Sequence, residues 1–231
     1  MIDTLLILAG GRGSRLGDLT QNIPKPMIEV AGVPFIIHVL ETVKNLQIAR
    51  HVLSTGYKSQ KFMNYFNRDN SFPVCIFEES VPLGTGGAIK EFLNQYPEVN
   101  NLLVMNGDSL IFDDHSYWED LVKLNCDCIV GTMVKDRTRF GAIEFDDDRN
   151  IVKFCEKSLS GPGYVNAGIY FFKDIQKILC AMNKYPSTFS LEKFVASLIG
   201  KQQIKFVPSI GRMIDMGTPE SLEEMRLKLG S

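Results

Sequence analysis

The alternation of short apolar runs with amphipathic helical stretches, through the first 133 residues, is the feature that most constrains this chain. Each apolar run is four to six residues long, which suits a buried strand and is too short to span a membrane. Strands that alternate with helices in this way predict a mainly parallel sheet covered on both faces. The predicted strands are residues 4–9, 52–55, 74–77, 102–105 and 128–133, and the predicted helices are 33–46, 88–96 and 118–124.

The pattern changes after residue 139. Residues 141–145 and 151–156 flank the polar turn 146–150 and predict a β-hairpin, so the acidic run is interpreted as a solvated turn rather than a metal site. A strand and two helices are predicted to follow, at 165–172, 191–199 (capped by Ser190) and from Thr218-Pro219 onward. With 231 residues, the chain is predicted to be one α/β domain, a doubly wound, mainly parallel, Rossmann-like sheet with a small inserted β-rich flap.

Charge and cysteine content exclude several classes of partner. Lys plus Arg total 25 and Asp plus Glu total 27, so no basic field is available to hold nucleic acid or an anionic membrane non-specifically. The five cysteines are odd in number and form no CxxC pair, which indicates free thiols rather than a disulfide framework or a zinc site. No basic segment precedes the first apolar run, and no stretch approaches 18 apolar residues. We therefore expect a cytoplasmic protein without a membrane anchor.

The first predicted strand leads into a glycine-rich loop, Gly10-Gly11-Arg12-Gly13-Ser14-Arg15-Leu16. Closely spaced glycines let a backbone approach a ligand and point its amides at anions. The loop lacks the Walker A spacing, and Leu16 stands where a dinucleotide fingerprint needs glycine, which disfavours a P-loop NTPase and a nucleotide-dependent dehydrogenase. Two arginines in such a loop favour a binding site for a polyphosphate, which is held and then released as a charged leaving group. The alternative is a turn whose arginines pair with surface acids.

Three further charged residues stand in settings typical of phosphate chemistry. Lys25 lies between two prolines, which fix φ and present the cation on a stiff loop; a solvent-exposed lysine is the alternative. Asp108 follows a predicted strand, and Asp215 stands between a short apolar run and a helix start. If the fold brings the two carboxylates together, they would bind Mg²⁺; otherwise one or both cap the following helix.

A second glycine-rich loop, residues 82–88, contains no cation and opens a predicted helix. Its composition favours close packing against a flat neutral group, such as a base, rather than phosphate binding. Glu79 precedes the loop, and its carboxylate could accept hydrogen bonds from guanine N1–H and N2–H₂, which no other common base offers together. The alternative is an exposed glutamate in a salt bridge.

These motifs, in this order, resemble those of the sugar-1-phosphate nucleotidylyltransferases (NDP-sugar pyrophosphorylases). The likeness covers about residues 4 to 226 and rests on the loop 8–16, Lys25-Pro26, the loop 83–88, Gly107-Asp108, Glu156-Lys157, Asn166-Ala167-Gly168 and the segment 215–220. Within the family, the chain is most similar to D-glycero-D-manno-heptose 1-phosphate guanylyltransferases, through the segments 25–27, 30–35, 139–141, 161–168, 189–192 and the C-terminal motif 215–220. Ser14 departs from the threonine of many relatives but keeps the hydroxyl.

The resemblance implies a role for each matching position. The nucleotide would be bound by Leu8, Ala9, Gly10, Gly11, Arg12, Gly13, Glu79, Gly84, Thr85 and Gly107. The catalytic residues would be Arg15, Lys25 and Asp108. Mg²⁺ would be bound by Asp108 and Asp215. The sugar phosphate would contact Gly141, Glu156, Lys157 and Asn166.

The implied reaction joins GTP to a sugar 1-phosphate, with heptose as the expected sugar, and releases pyrophosphate after in-line attack on the α-phosphate. Residues 1–138 would form the nucleotide-binding half of the single domain, and 139–231 the sugar-phosphate-binding half with the last helix. The resemblance suggests a homodimer. The sequence does not contain the long C-terminal β-helix of some relatives, so we expect no added acyltransferase or regulatory domain. The alternatives are a mannose-1-phosphate guanylyltransferase, a uridylyltransferase on another sugar 1-phosphate, and a GDP-sugar-binding module without activity.

Overall fold

The computed structural model describes residues 1–69, 71–155 and 160–230. Its strands are β1 Ile2–Leu8, β2 Glu29–Val30, β3 Val33–Pro34, β4 Ile48–Thr55, β5 Cys75–Glu78, β6 Leu102–Asn106, β7 Ser109–Phe112, β8 Cys128–Val134, β9 Ala142–Phe145, β10 Ile151–Cys155, β11 Gly163–Phe172, β12 Lys205–Ser209 and β13 Arg212–Asp215. Its helices are α1 Phe35–Glu41, α2 Gln60–Phe66, α3 Gly84–Gln95, α4 Tyr117–Leu124, α5 Ile175–Met182, α6 Leu191–Leu198 and α7 Pro219–Leu229.

The chain divides into two compact units. Unit 1 comprises Met1–Pro82, Met105–Leu110 and Ile214–Ser231, and unit 2 comprises Leu83–Val104 and Ile111–Met213. The boundary between a nucleotide half and a sugar half near residue 138 stays a prediction. Among the described residues, no helix combines the length and the apolar content that crossing a bilayer requires.

Unit 1 contains a parallel sheet in which β4 lies between β1 and β5. The middle of β1 is fully buried, with Leu5, Leu6 and Ile7 at 0% exposure, as expected for a strand covered on both faces. Because the three strands run in the same direction, the loops that follow them emerge at one edge of the sheet. The glycine-rich loop after β1 and Glu79 after β5 therefore lie at the same edge.

The predicted helix over 33–46 is wrong at both ends. Ala31 and Gly32 take positive φ values of 51° and 83°, which reverse the chain and pair β2 with β3. Helix α1 begins only after Pro34, whose extended conformation ends that hairpin. Past α1, residues 42–46 form hydrogen-bonded turns instead of further helix.

Unit 2 contains a mixed sheet with the strand order β10-β9-β11-β8-β12. The predicted hairpin is confirmed as β9 and β10, which are antiparallel. In its turn, the Asp146 carboxylate accepts hydrogen bonds from the backbone N–H and the amide of Asn150, at 2.8 and 2.9 Å. The acidic run is thus a turn, as its composition predicted. Strand β12, which pairs in parallel with β8, was not predicted.

The helix starts follow the predicted capping signals. The Ser190 hydroxyl accepts from the backbone N–H of Lys193 at 3.1 Å, and Thr218 and Ser221 form a reciprocal capping box at the start of α7. Helices α2 and α5 were not predicted, although Asp174 caps α5 in the ordinary way. The predicted fold class, a mainly parallel, Rossmann-like α/β sheet covered by helices, is confirmed, and small antiparallel sheets are present in addition.

Candidate active site

The glycine-rich loop after β1 closes tightly on the predicted catalytic lysine. Gly13 has a left-handed backbone with φ of 66°, and a Cβ on it would lie 2.9 Å from the Cβ of Lys25. The Thr20 hydroxyl donates to the carbonyl oxygens of Gly13 and Gly17, at 3.1 and 3.2 Å, which holds the loop against the turn that follows. Glycine at position 13 therefore serves both the positive φ and the close approach of Lys25.

Lys25 is buried, with 11% of its side chain exposed, so the solvent-exposed alternative is excluded. It starts a short 3-10 turn, in which the backbone N–H of Met27 donates to the carbonyl of Pro24 at 2.8 Å. Its ammonium donates to Asp108 Oδ2 at 2.6 Å, which is a short, charge-assisted hydrogen bond. The structure thus joins two predicted catalytic residues that lie far apart in the sequence.

The two predicted metal ligands lie at adjoining places in unit 1: Asp108 is in the loop between β6 and β7, and Asp215 is the last residue of β13. The backbone N–H of Met216 donates to the carbonyl oxygen of Asp108 at 2.9 Å, so the residue after Asp215 lies against Asp108. Neither aspartate caps a helix, because Asp108 leads into β7 and Thr218 caps α7. The Asp215 carboxylate instead accepts the backbone N–H of Gly217 at 2.8 Å.

The donor chemistry of this aspartate pair fits Mg²⁺. Mg²⁺ prefers oxygen ligands and usually takes one or two protein carboxylates, with phosphate oxygens and water completing its octahedron. The Asp108 side chain is 38% exposed, so its carboxylate is accessible to an ion. Within the described parts of the chain, no group of three or more His, Cys, Asp or Glu is placed to hold a metal elsewhere.

Arg12 and Arg15 are exposed on the glycine-rich loop. Among the described residues neither arginine forms an ion pair, so pairing with surface acids does not explain them. The guanidinium carbon of Arg12 lies 5.2 Å from the centroid of the Tyr57 ring, a cation–π contact. Tyr57 is in turn fixed by its hydroxyl, which donates to the carbonyl of Gln21 at 2.6 Å. Sequence reasoning missed Tyr57, although an aromatic residue just past a strand end was the available signal.

Glu79 is half-buried against the first glycine of the loop. A Cβ on Gly10 would lie 2.5 Å from Glu79 Oε1, so a larger residue at position 10 would displace the carboxylate from this position. The Ser54 hydroxyl donates to the same oxygen at 2.8 Å. Ser54 was also missed, since it is one of two adjacent hydroxyl residues, Ser54 and Thr55, at the end of β4.

Leu8, Ala9 and Gly107 connect the strand ends around these side chains. The Gly107 N–H donates to the carbonyl of Leu8 at 3.0 Å, and the Ala9 N–H donates to the carbonyl of Ser54 at 2.7 Å. A Cβ on Gly107 would lie 2.9 Å from that Leu8 oxygen. Their backbone groups therefore hold the loops of unit 1 together, and their contacts with a nucleotide stay predictions.

In unit 2, the second glycine-rich loop packs against a segment of the same chain. The N–H groups of Gly86 and Gly87 both donate to the carbonyl of Phe189, at 3.0 and 3.3 Å, and a Cβ on Gly84 would lie 2.7 Å from that oxygen. The Thr85 hydroxyl accepts from the backbone N–H of Leu191 at 2.8 Å. This packing explains why glycines are needed here even without a bound base. A base-binding role for Gly84 and Thr85 stays a prediction.

Two predicted sugar contacts, Gly141 and Asn166, also lie together in unit 2. The Asn166 N–H donates to the Gly141 carbonyl at 2.8 Å, and the Asn166 side chain accepts from Gly168 N–H and donates to the Tyr170 hydroxyl. Burial raises the pKa of Tyr170 well above its ordinary value; the charge of Glu192 acts in the same direction, and the Asn166 hydrogen bond opposes it. The other two predicted contacts, Glu156 and Lys157, lie outside the described residues.

Comparison with known proteins agrees with these motifs. The chain is 33% identical over 220 residues to a D-glycero-alpha-D-manno-heptose 1-phosphate guanylyltransferase of Campylobacter jejuni, covering 93% of this chain and 95% of the relative. It is 29% identical over 229 residues to the protein of that name from Aneurinibacillus thermoaerophilus, covering 97% of each.

A solved structure gives the same result at the level of the fold. HddC from Yersinia pseudotuberculosis, crystallised in complex with GMP-PN, is 31% identical and superposes with a TM-score of 0.79, covering 98% of this chain and 99% of HddC. The nucleotidyl transferase family matches residues 4–231, a span that includes every site residue predicted from the sequence. The chain therefore belongs to the nucleotidyl transferase family.

Proposed function

We propose that this protein is a guanylyltransferase that converts GTP and D-glycero-α-D-manno-heptose 1-phosphate to GDP-heptose and pyrophosphate. The observation that carries the proposal is the Lys25–Asp108 ion pair of 2.6 Å, which lies between the glycine-rich loop and the segment that follows Asp215. A cation, two carboxylates and a glycine-rich loop are the parts that phosphoryl-type transfer to a preformed anion needs. The names of the full-length relatives support the choice of sugar and nucleotide.

The chemical difficulty of this reaction is electrostatic, because two polyanions must meet. The sugar phosphate is already an anion near neutral pH, so attack on the α-phosphorus requires no general base and no covalent intermediate. Two unit charges 4 Å apart repel by about 4 kcal/mol at an effective dielectric constant of 20. Lys25 and Arg15 would offset this repulsion at the reacting phosphates, and Arg12 would stabilise the departing pyrophosphate.

Mg²⁺, held by Asp108 and Asp215, would supply further positive charge to the phosphate oxygens. This metal belongs to the proposal, as do a cytoplasmic location and a homodimeric state. In the selection of the nucleotide, the Glu79 carboxylate would accept hydrogen bonds from guanine, and Gly84 and Thr85 would contact the base. Gly141, Glu156, Lys157 and Asn166 would contact the sugar phosphate.

A matrix of substrates tests the proposal. Pyrophosphate release is measured for GTP, ATP, CTP and UTP, each combined with heptose 1-phosphate, mannose 1-phosphate and glucose 1-phosphate, with Mg²⁺ and with EDTA. We expect the highest kcat/KM for GTP with heptose 1-phosphate and no turnover in EDTA. Preference for mannose 1-phosphate would contradict the sugar, preference for UTP would contradict the base, and absence of turnover with every pair would contradict the enzymatic function.

A further inference from the structure

We infer that Ser54 is a positioning residue, which fixes the orientation of the Glu79 carboxylate and thereby sets the preference for guanine. The inference rests on the proposed function, since it assigns the means by which that site selects its nucleotide. It adds a residue that contacts no substrate and acts only through another side chain.

Ser54 lies inside the parallel sheet of unit 1, near the end of β4. It pairs with Leu8 of β1 on one side and with Phe77 of β5 on the other, and it is 0% exposed. Its carbonyl accepts the Ala9 N–H at 2.7 Å, so its backbone is anchored to β1. A buried hydroxyl needs a partner, and Ser54 donates to Glu79 Oε1 at 2.8 Å.

The same carboxylate oxygen lies beside Gly10. A Cβ at Gly10 would lie 2.5 Å from Oε1 but 3.5 Å from Oε2, so Oε1 is the oxygen turned toward the glycine. The backbone N–H of Glu79 donates to the Thr55 carbonyl at 2.7 Å, which fixes the start of the side chain. Since the two oxygens share one plane, the hydrogen bond from Ser54 to Oε1, together with the fixed backbone of Glu79, also directs Oε2.

A fixed carboxylate suits guanine better than it suits other bases. Guanine presents N1–H and N2–H₂ side by side, adenine presents an acceptor at N1, and uracil flanks its N3–H with two carbonyl oxygens that a carboxylate repels. Hypoxanthine keeps N1–H and lacks the N2 amino group. The ratio of kcat/KM for GTP to that for ITP therefore measures how well the carboxylate is aimed at the amino group.

The test is this GTP-to-ITP ratio in Ser54→Ala. A hydrogen bond to a charged group is lost, and we expect the ratio to fall about tenfold, mainly through a higher KM for GTP. Thr55→Val is the matched control, because Thr55 is also fully buried but shares its hydroxyl with Ser59 at 2.9 Å. Neighbouring strand residues face opposite sides of a sheet, so Thr55→Val should keep the ratio of the unmodified protein.

Ser54→Cys fills nearly the same space with a weak donor, so it separates the hydrogen bond from packing. It should lose discrimination as Ser54→Ala does, and its melting temperature shows whether it folds. In the Glu79→Ala background, Ser54→Ala should have no further effect on the ratio, because Ser54 acts only through Glu79.

The possible failures are distinguishable. A ratio that is unchanged in both folded Ser54 variants, or that falls equally in the Glu79→Ala background, overturns the role of Ser54 alone. An unmodified protein that does not prefer GTP over the other nucleoside triphosphates overturns this inference together with the proposed function.

Discussion

The two glycine-rich loops of this chain are alike in sequence and differ in what their glycines do. In unit 1, Gly10 and Gly13 make room for charged side chains, the carboxylate of Glu79 and the stem of Lys25. In unit 2, the glycines from Gly84 to Gly87 make room for the backbone and ring of the segment around Phe189. The first loop thus brings charges together, and the second joins a helix start to another part of the fold.

The contrast shows that a glycine-rich loop in a sequence indicates that another group lies close to its backbone. It does not indicate what that group is. The charged residues nearby supply the missing information. The first loop contains two arginines and precedes Lys25, whereas the second contains no cation. Changes in the first loop should therefore affect mainly catalysis, and changes at Gly86 and Gly87 of the second loop should affect mainly stability.

The largest expected effect comes from the ion pair beside the first loop. Lys25→Ala and Asp108→Ala should each lower kcat/KM by about 10²-fold or more, because the first removes a cation from the reacting phosphates and the second removes a carboxylate that would hold Mg²⁺ there. Steady-state kinetics with GTP and heptose 1-phosphate measure the effect.

Lys90→Ala is the control from the helix that the second loop opens. The Lys90 ammonium donates to the Tyr185 carbonyl at 2.9 Å, so this variant also loses a lysine and one internal contact. It should retain kcat/KM within a few fold. Near-native turnover in both Lys25→Ala and Asp108→Ala would refute the roles assigned to the ion pair.

One glycine from each loop gives the next test. No described heavy atom lies within 4 Å of a Cβ on Gly11, so Gly11→Ala should keep its stability and raise the KM for GTP about tenfold by obstructing phosphates. A Cβ on Gly87 would collide with the Ser187 carbonyl, so Gly87→Ala should be destabilised by about 1–3 kcal/mol. Each kcal/mol should lower Tm by about 2–4 °C.

Thermal melts and GTP kinetics of the two alanine variants test whether the first loop acts in GTP binding and the second in stability. The comparison fails if Gly11→Ala melts early while Gly87→Ala is as stable as the unmodified protein. It would also fail if Gly87→Ala, at a temperature where it is folded, lost more GTP affinity than Gly11→Ala.

Two aspartates, one in each unit, also differ in their surroundings. Asp108 in unit 1 is accessible, whereas Asp114 in unit 2 is buried and accepts hydrogen bonds from Ser116, Ser209 and the backbone of Ile210. Burial acts to raise the pKa of Asp114, but these hydrogen bonds outweigh it and lower the pKa to about 2.

A carboxylate whose pKa is depressed by folding stabilises the folded state when it is ionised. The contribution of Asp114 is therefore present above about pH 4 and is lost as the pH falls toward about 2. Asp114→Asn should lower the free energy of unfolding by about 1–3 kcal/mol at pH 7, and most of this difference should be lost as the pH falls from about 4 to about 2. Denaturant melts from pH 7 to pH 2 measure it, and a difference that is constant with pH would contradict the assignment.

Much of the fold could be predicted from the sequence, because hydrophobic periodicity and capping residues are local signals. The hairpin of β9 and β10 and the starts of α6 and α7 were predicted for that reason. Strand β12 was missed because Pro208 argues against a strand, and the parallel pairing with β8 that stabilises it is a tertiary contact.

The site residues divide in the same way. The loop around Gly13 and the lysine between two prolines could be predicted because each is a motif of adjacent residues. The contact between Ser54 and Glu79 joins residues 25 positions apart, and it exists only because β4 and β5 are parallel neighbours. No local pattern contains that information, so a buried serine was interpreted as part of an ordinary strand.

The smallest expected effect tests how the first loop supports an exposed cation. The guanidinium of Arg12 lies over the Tyr57 ring at 5.2 Å, and exposed cation–π contacts contribute about 0.5–1 kcal/mol. Tyr57→Leu should therefore raise the KM for GTP about two- to fivefold with little change in kcat. Tyr57→Phe keeps the ring and removes only the hydrogen bond to Gln21, so it should stay close to the unmodified protein. If the two variants weaken GTP binding equally, the hydroxyl and not the ring positions the loop, and Arg12 binds phosphate without aromatic support.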